Sequence, residues 1–270
     1  MAMSNKRIEG IDELRGLLAL GIIMFHYFAL GKYYGTWATH NALSDWGTII
    51  VYLFFIVSGI CLYKSNSNIK PSQFFYKRWK ALFPTFYVAW ILVYILRLIT
   101  TGSLNPDNAS LSTIPLTIAG VDGYFLYLGK NFYLIGEWFL GAIILLYLLY
   151  PLYLKLVKLS SLGLLAVLAL LTVLTAYTDL FEIINSRNLI CCSTGFVIGM
   201  CLGKNEKPLE YKAIIVLSAF LSCTLLVFNL KQSIPEIILV LVCSTTLFIS
   251  LRYLFSKVGG GGVFLTSSNI

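Results

Sequence analysis

The chain has 270 residues, of which 58% are hydrophobic and only 12% charged, with a formal net charge of +8 at pH 7. A soluble protein carries about a quarter charged residues, so the composition excludes an ordinary soluble globular domain. The apolar residues fall in long blocks without apolar/polar alternation, which excludes a membrane β-barrel.

The apolar blocks predict an all-α, polytopic membrane protein with about eight transmembrane helices, because blocks of about 20 residues match the hydrocarbon core of a bilayer. In chain order the predicted spans are Leu14–Leu30, Gly47–Tyr63, Leu82–Ile99, Tyr133–Leu154, Leu162–Tyr177, Leu189–Leu202, Ala213–Leu230 and Ile234–Leu254. The sixth span is short and rich in Gly, Ser and Cys, which suits close packing between helices.

The basic residues predict the orientation of these spans. With a cytoplasmic N-terminus, fifteen of the twenty Lys and Arg residues lie on the inner side of the membrane and five on the outer side. This is the distribution that the positive-inside rule requires. The positive net charge is then explained by topology and anionic lipid head groups, not by binding to nucleic acid.

The first predicted span holds two ionisable residues, Arg15 and His26, with ten apolar or glycine residues between them. Eleven residues of α-helix advance about 16 Å and make nearly three turns, so both side chains lie on one face. Arg15 then lies at the cytoplasmic edge and His26 deep in the bilayer. Ionisable residues within spans are usually functional, and an imidazole can serve as a general base for a hydroxyl group. In the alternative interpretation, Arg15 reaches lipid phosphates and His26 hydrogen-bonds a neighbouring helix.

The longest outer connection, from about Thr100 to Phe132, combines polar and aromatic residues and is predicted to contribute to a binding site, as long ordered loops often do. Tyr133, Glu137 and Trp138 follow it. The two aromatic rings could stack on a sugar or anchor the helix at the membrane interface. Glu137 could orient His26, bind a sugar, or be an ordinary interfacial carboxylate.

No metal site is predicted. The six cysteines all fall within predicted spans without a CxxC pair, and the chain has only two histidines. Buried cysteines in such positions are typical of helix packing.

Four segments carry a further pattern: "IDELRGLLALGIIMFHYF" (11–28), "FFIVSGICL" (54–62), "FFYKRWKALFPTFY" (74–87) and "GEWFLGAIILLYLLYPLY" (136–153). In this order and spacing they resemble the membrane acyltransferase family 3, which includes O-acetylases of bacterial surface polysaccharides. Arg15, Gly16 and His26 match the Arg-Gly and His of the family's first helix.

The chain departs from the family pattern in two respects. The family usually has a second arginine three residues after the one that Arg78 matches, whereas this chain has Ala81 there, with Lys80 beside it. We expect Lys80 to supply that charge. The family has about ten spans, so the chain is interpreted as a single acyltransferase-like domain over residues 1–270 that lacks its last helices.

The resemblance implies a transmembrane O-acyltransferase of the bacterial cytoplasmic membrane. It would move an acyl group, normally acetyl, from cytoplasmic acyl-CoA to a hydroxyl of a cell-surface glycan or lipid-linked sugar. It implies that His26 is the general base and Glu137 a second catalytic residue. It also implies that Arg15, Arg78 and Lys80 bind the phosphates of acetyl-CoA, and that Trp138 and Tyr133 bind the acceptor. Arginine–phosphate contacts are strong because they are charge-assisted.

Two other classes of function stay open. In a transporter or flippase, His26 and Glu137 would form a proton relay and the sixth span would be a broken helix. Transporters often have two related halves, and the first and last four spans show no convincing repeat. The second alternative is a non-catalytic, truncated member of the acyltransferase family.

Overall fold

A computed structural model describes residues 9–66, 69–104, 109–126, 130–136, 138–178, 181, 183–231 and 233–259. The described residues form eight α-helices: α1 Ile11–Phe28, α2 Trp46–Asn66, α3 Pro71–Thr101, α4 Ile114–Ile118, α5 Trp138–Tyr177, α6 Leu189–Lys204, α7 Lys212–Val227 and α8 Glu236–Gly259. Within these ranges there is no β-strand. Five of the helices are long and apolar enough to cross a membrane, and α6 and α7 are shorter apolar helices. The predicted all-α membrane fold is confirmed.

Helix α5 contains the fifth predicted span and the part of the fourth from Trp138 onward. Its 40 residues are divided by non-helical backbone at Ser160 (φ −148°, ψ 96°). The Ser160 hydroxyl accepts a hydrogen bond from the Gly163 N–H at 3.1 Å, as an N-cap serine does at the start of a helix. Ser160 therefore ends one helical segment and begins the next.

The two segments of α5 fold back on each other at Ser160. Tyr153, before the break, donates a hydrogen bond to Ser193 of α6 at 2.8 Å. Thr172, after the break, bonds Thr194 of the same helix at 2.7 Å. Residues 153 and 172 would lie about 28 Å apart along one straight helix. Their contacts with adjacent residues of α6 therefore require a helical hairpin, as two separate spans would form.

The first segment of α5 begins at Trp138, whereas the fourth predicted span begins at Tyr133. Gly136 has a left-handed φ of 76°, a conformation that ends regular helix and that glycine adopts readily.

One compact unit consists of the chain up to residue 65 and from residue 198 onward. Its core is aliphatic, and Leu14 of α1, Ile56 of α2 and Phe248 of α8 are fully buried in it. Gly199 of α6 lies directly against the Ile56 carbonyl group of α2, so the backbones of these two helices approach closely. Small residues permit such packing between membrane helices.

The second compact unit, residues 66–197, has an aromatic core. The Phe74 ring of α3 stacks on Tyr150 of α5 with centroids 4.6 Å apart. Tyr150 and Tyr153 in turn contact the ring of Phe196 in α6. We refer to Phe74, Tyr147, Tyr150, Tyr153 and Phe196 as the aromatic cluster.

Candidate functional site

Arg15 and His26 lie along one edge of α1. The helix is continuous over residues 11–28 and buries Ile11, Leu14 and Leu18 on one face. The two ionisable residues flank that face, about 16 Å apart along the axis, because eleven residues make close to three turns. Both side chains are exposed. The predicted placement of an arginine and a histidine on one face of the first span is therefore present in the fold.

The His26 ring has no hydrogen-bond or ion-pair partner within the described parts of the chain. Its ring lies edge-on to Phe25, with centroids 5.6 Å apart. The alternative interpretation, in which His26 hydrogen-bonds a neighbouring helix, therefore finds no support in these residues. The segment Ala29–Tyr33 follows α1 directly, and its backbone leaves the helical conformation at Gly31 and Lys32.

Arg15 forms an ion pair with Asp12, one turn earlier in α1. The Nη1 and Oδ1 atoms are 3.7 Å apart, and about half of each side chain is exposed. An exposed pair of this kind contributes little to stability. The guanidinium is therefore oriented by Asp12 yet remains accessible to an anion.

Arg78 lies half-buried against the aromatic cluster. Its guanidinium carbon is 5.9 Å from the centroid of the Phe74 ring and 6.0 Å from that of Tyr147, within the range of cation–π attraction. Its Nε atom is buried and has no hydrogen-bond partner, and no carboxylate in the described residues pairs with the charge. A buried N–H without an acceptor costs free energy, so this site favours an anionic ligand.

Lys80 lies on a different face of α3 from Arg78. Two residues of helix rotate the side-chain direction by about 200°. Lys80 lines a hollow of about 660 Å³ together with Gln73, Tyr76 and Lys77. The structure thus brings Lys80 together with Lys77, which the sequence analysis did not single out, and separates it from Arg78.

Of the predicted acceptor residues, Trp138 lies at the start of α5 and Tyr133 in the segment before it. The Trp138 ring faces Arg187, whose guanidinium carbon is 5.2 Å from the ring centroid, so one face of the indole is already occupied. The Tyr133 ring packs against Gly123 of the preceding loop. Glu137 lies outside the described residues. The roles of these residues stay predictions, as do those of His26, Arg15, Arg78 and Lys80.

A cavity lies beside α3, and the sequence analysis did not predict its lining residues individually. It has a volume of about 830 Å³ and is lined on one side by Tyr87, Trp90, Ile91 and Tyr94. The opposite wall comes from the segment after α3, which includes α4, and is formed by residues such as Leu104, Leu111, Ile114, Ile118 and Phe132. We call it the α3 cavity. The four α3 residues follow helical i, i+3, i+4, i+7 spacing, a signal that could have identified one wall in advance.

Comparison with known proteins identifies the family. A model described as an acyltransferase domain, that of acyltransferase family 3, matches residues 8–267. No curated protein and no solved structure matches the chain. The family match covers nearly the full chain and both compact units, and it agrees with the long apolar helices. The chain therefore belongs to acyltransferase family 3 and is an integral membrane acyltransferase.

Proposed function

We propose that the protein is an O-acyltransferase that moves an acetyl group from cytoplasmic acetyl-CoA to a hydroxyl of a glycan at the outer side of the bacterial cytoplasmic membrane. The observation that carries the proposal is the edge of α1, a candidate membrane span. There His26, which has no hydrogen-bond or ion-pair partner among the described residues, lies about 16 Å along the helix from the accessible Arg15. Family membership supports the class of reaction.

His26 serves as the general base in this proposal. Its imidazole takes the proton from the acceptor hydroxyl while the hydroxyl oxygen attacks the thioester carbonyl. The new C–O ester bond forms, the C–S bond breaks, and the imidazolium returns its proton to the leaving thiolate of CoA. Glu137, which lies outside the described residues, is proposed as the second catalytic residue.

Cations on the side that is predicted to be cytoplasmic are each proposed to contribute to binding of the donor phosphates. Arg78 supports this role because its half-buried guanidinium has no anionic partner in the described residues and its Nε lacks an acceptor. Arg15 and Lys80 add accessible positive charge for the phosphates. On the acceptor side, Trp138 and Tyr133 are proposed to contact the sugar, with the free face of the Trp138 indole available for stacking.

The test measures acetyl-CoA consumption and ester formation by the full chain in nanodiscs, with a panel of surface-glycan and lipid-linked acceptors. We expect His26→Ala to lower turnover by about 10²–10⁴-fold, the usual contribution of a general base. The matched control is His40→Ala, which removes the other histidine. Because His26 is exposed, its variant should keep the wild-type Tm.

Two outcomes would overturn the proposal. Wild-type turnover in His26→Ala would exclude this residue as the base. A wild-type protein that consumes no acetyl-CoA with any acceptor in the panel would exclude acetyl-CoA as its donor.

A further inference from the structure

The α3 wall of the cavity belongs to the uncharged part of a candidate membrane span. Helix α3 is one of the candidate membrane spans, and the sequence has no charged residue between Lys80 and Arg97. That uncharged stretch is about 24 Å long as a helix. The cavity residues Tyr87 to Tyr94 lie within it, on the half of α3 that is farther from the cytoplasmic lysines.

The segment after α3, which includes α4, returns along the helix and borders this space on its other side. The Tyr94 hydroxyl donates a hydrogen bond to the carbonyl of Leu104 at 2.8 Å. The Tyr87 hydroxyl, about 10 Å earlier along the helix, donates to the carbonyl of Ile118 at 2.7 Å. This segment after α3 therefore lies alongside the uncharged stretch of α3.

The polar side-chain groups of the α3 wall already donate hydrogen bonds within the protein. The Trp90 Nε1–H donates to the carbonyl of Phe132 at 3.1 Å, so all three aromatic donors of this wall bind backbone carbonyls of the segment after α3. The Thr117 hydroxyl donates to Asp122. None of the described lining residues is charged. The space is therefore bounded mainly by aromatic ring faces and aliphatic side chains.

The apolar lining of the α3 cavity indicates which kind of ligand it can bind. A sugar needs several hydrogen-bond partners and a CoA phosphate needs cations, whereas a hydrocarbon chain needs neither. The volume of about 830 Å³ falls within the usual range for ligand sites, about 300–1,000 Å³. We propose that the α3 cavity binds the hydrocarbon chain of a lipid-anchored glycan acceptor and so holds the sugar head group at the membrane surface. This inference rests on the proposed function, because it identifies the acceptor as a glycolipid.

The test uses two photoreactive probes in nanodiscs that contain the full chain. One is a glycolipid with a diazirine in its acyl chain, and the other is phosphatidylcholine with the identical chain. We expect the glycolipid to label peptides from residues 87–94 and 109–118 roughly tenfold more than phosphatidylcholine does. A tenfold preference corresponds to a difference in binding free energy of about 1.4 kcal/mol. Excess unlabelled glycolipid should abolish this labelling.

Paired tryptophan variants examine the cavity itself. Ile91→Trp places a larger side chain in the cavity. Because the hydrocarbon chain would then overfill the remaining space, glycolipid labelling should fall roughly tenfold. Leu92→Trp is the matched control, since Leu92 is 63% exposed against 50% for Ile91 and does not line the cavity. Equal labelling by the two probes, or equal labelling of the two variants, would assign the cavity to bulk lipid and overturn the inference.

The labelling experiment needs no catalysis, so the two proposals can fail separately. If the wild type is labelled selectively but forms no ester, the proposed reaction is overturned and the hydrocarbon-binding site in the α3 cavity stands. If ester formation depends on His26 but labelling is not selective, only the hydrocarbon-binding site is overturned.

Discussion

Arg78 combines a buried N–H that lacks an acceptor with a guanidinium packed on two aromatic rings. If this cation binds a donor phosphate, Arg78→Met removes a charge-assisted hydrogen bond worth about 1.5–3 kcal/mol. We expect the KM for acetyl-CoA to rise by roughly ten- to a hundredfold. Arg78→Lys should recover only part of the loss, because lysine lacks the planar fork of arginine.

The control for Arg78 is Lys155→Met, which removes an exposed cation of α5 and should leave KM unchanged. Thermal unfolding in detergent separates binding from folding. An Arg78→Met variant with a normal KM and a lower Tm would make the arginine a structural member of the aromatic cluster and contradict its role in donor binding.

The separation of Arg78 from Lys80 follows from sequence spacing alone, because residues two apart project from nearly opposite sides of a helix. The partners of Arg78 do not follow from spacing. Tyr147 is on another helix, far along the chain, and only tertiary packing brings its ring to the guanidinium. The sequence therefore identified Arg78 as a candidate for donor binding, but it did not predict the aromatic rings that surround its guanidinium.

The contact between α2 and α6 depends on Gly199. A Cβ atom at this position would collide with the backbone of Ile56, and neither backbone can move without shifting its helix. We expect Gly199→Ala to destabilise the protein by about 1–3 kcal/mol, as overpacking does, and to lower its Tm in nanodiscs. Gly16 is the matched control, because a Cβ there meets no atom within 4 Å. Gly16→Ala should keep or raise the Tm; equal losses in both variants would contradict the close approach of α2 and α6.

The helices were predicted well where bilayer thickness fixes their length. Hydropathy separated the spans on either side of Ser160, and the polar residues around Lys158 and Ser160 gave the break its position. The α3 cavity was less predictable. Its second wall comes from the segment after α3, which includes the five-residue α4 and is held to α3 by three aromatic donors. Hydropathy does not indicate where such a short, mixed segment packs.

The arrangement of charge in the chain as a whole leads to a prediction of sidedness. Lys77, Lys80 and Arg15 all belong to the side that the positive-inside rule places in the cytoplasm. Acetyl-CoA is polyanionic and does not cross a bilayer. We expect inverted membrane vesicles to consume added acetyl-CoA and right-side-out vesicles to do so only after detergent treatment.

Salt dependence is the second readout of this prediction. The charges of Arg15 and Lys80 are accessible, and the Debye length falls from about 30 Å at 0.01 M salt to about 3 Å at 1 M. Donor capture by exposed cations should therefore weaken as salt rises, and the KM for acetyl-CoA in inverted vesicles should increase while kcat changes little. Consumption by intact right-side-out vesicles would place these cations outside and contradict the cytoplasmic donor. A KM that does not respond to salt would instead restrict donor binding to the half-buried Arg78, because buried charges are screened far less than exposed ones.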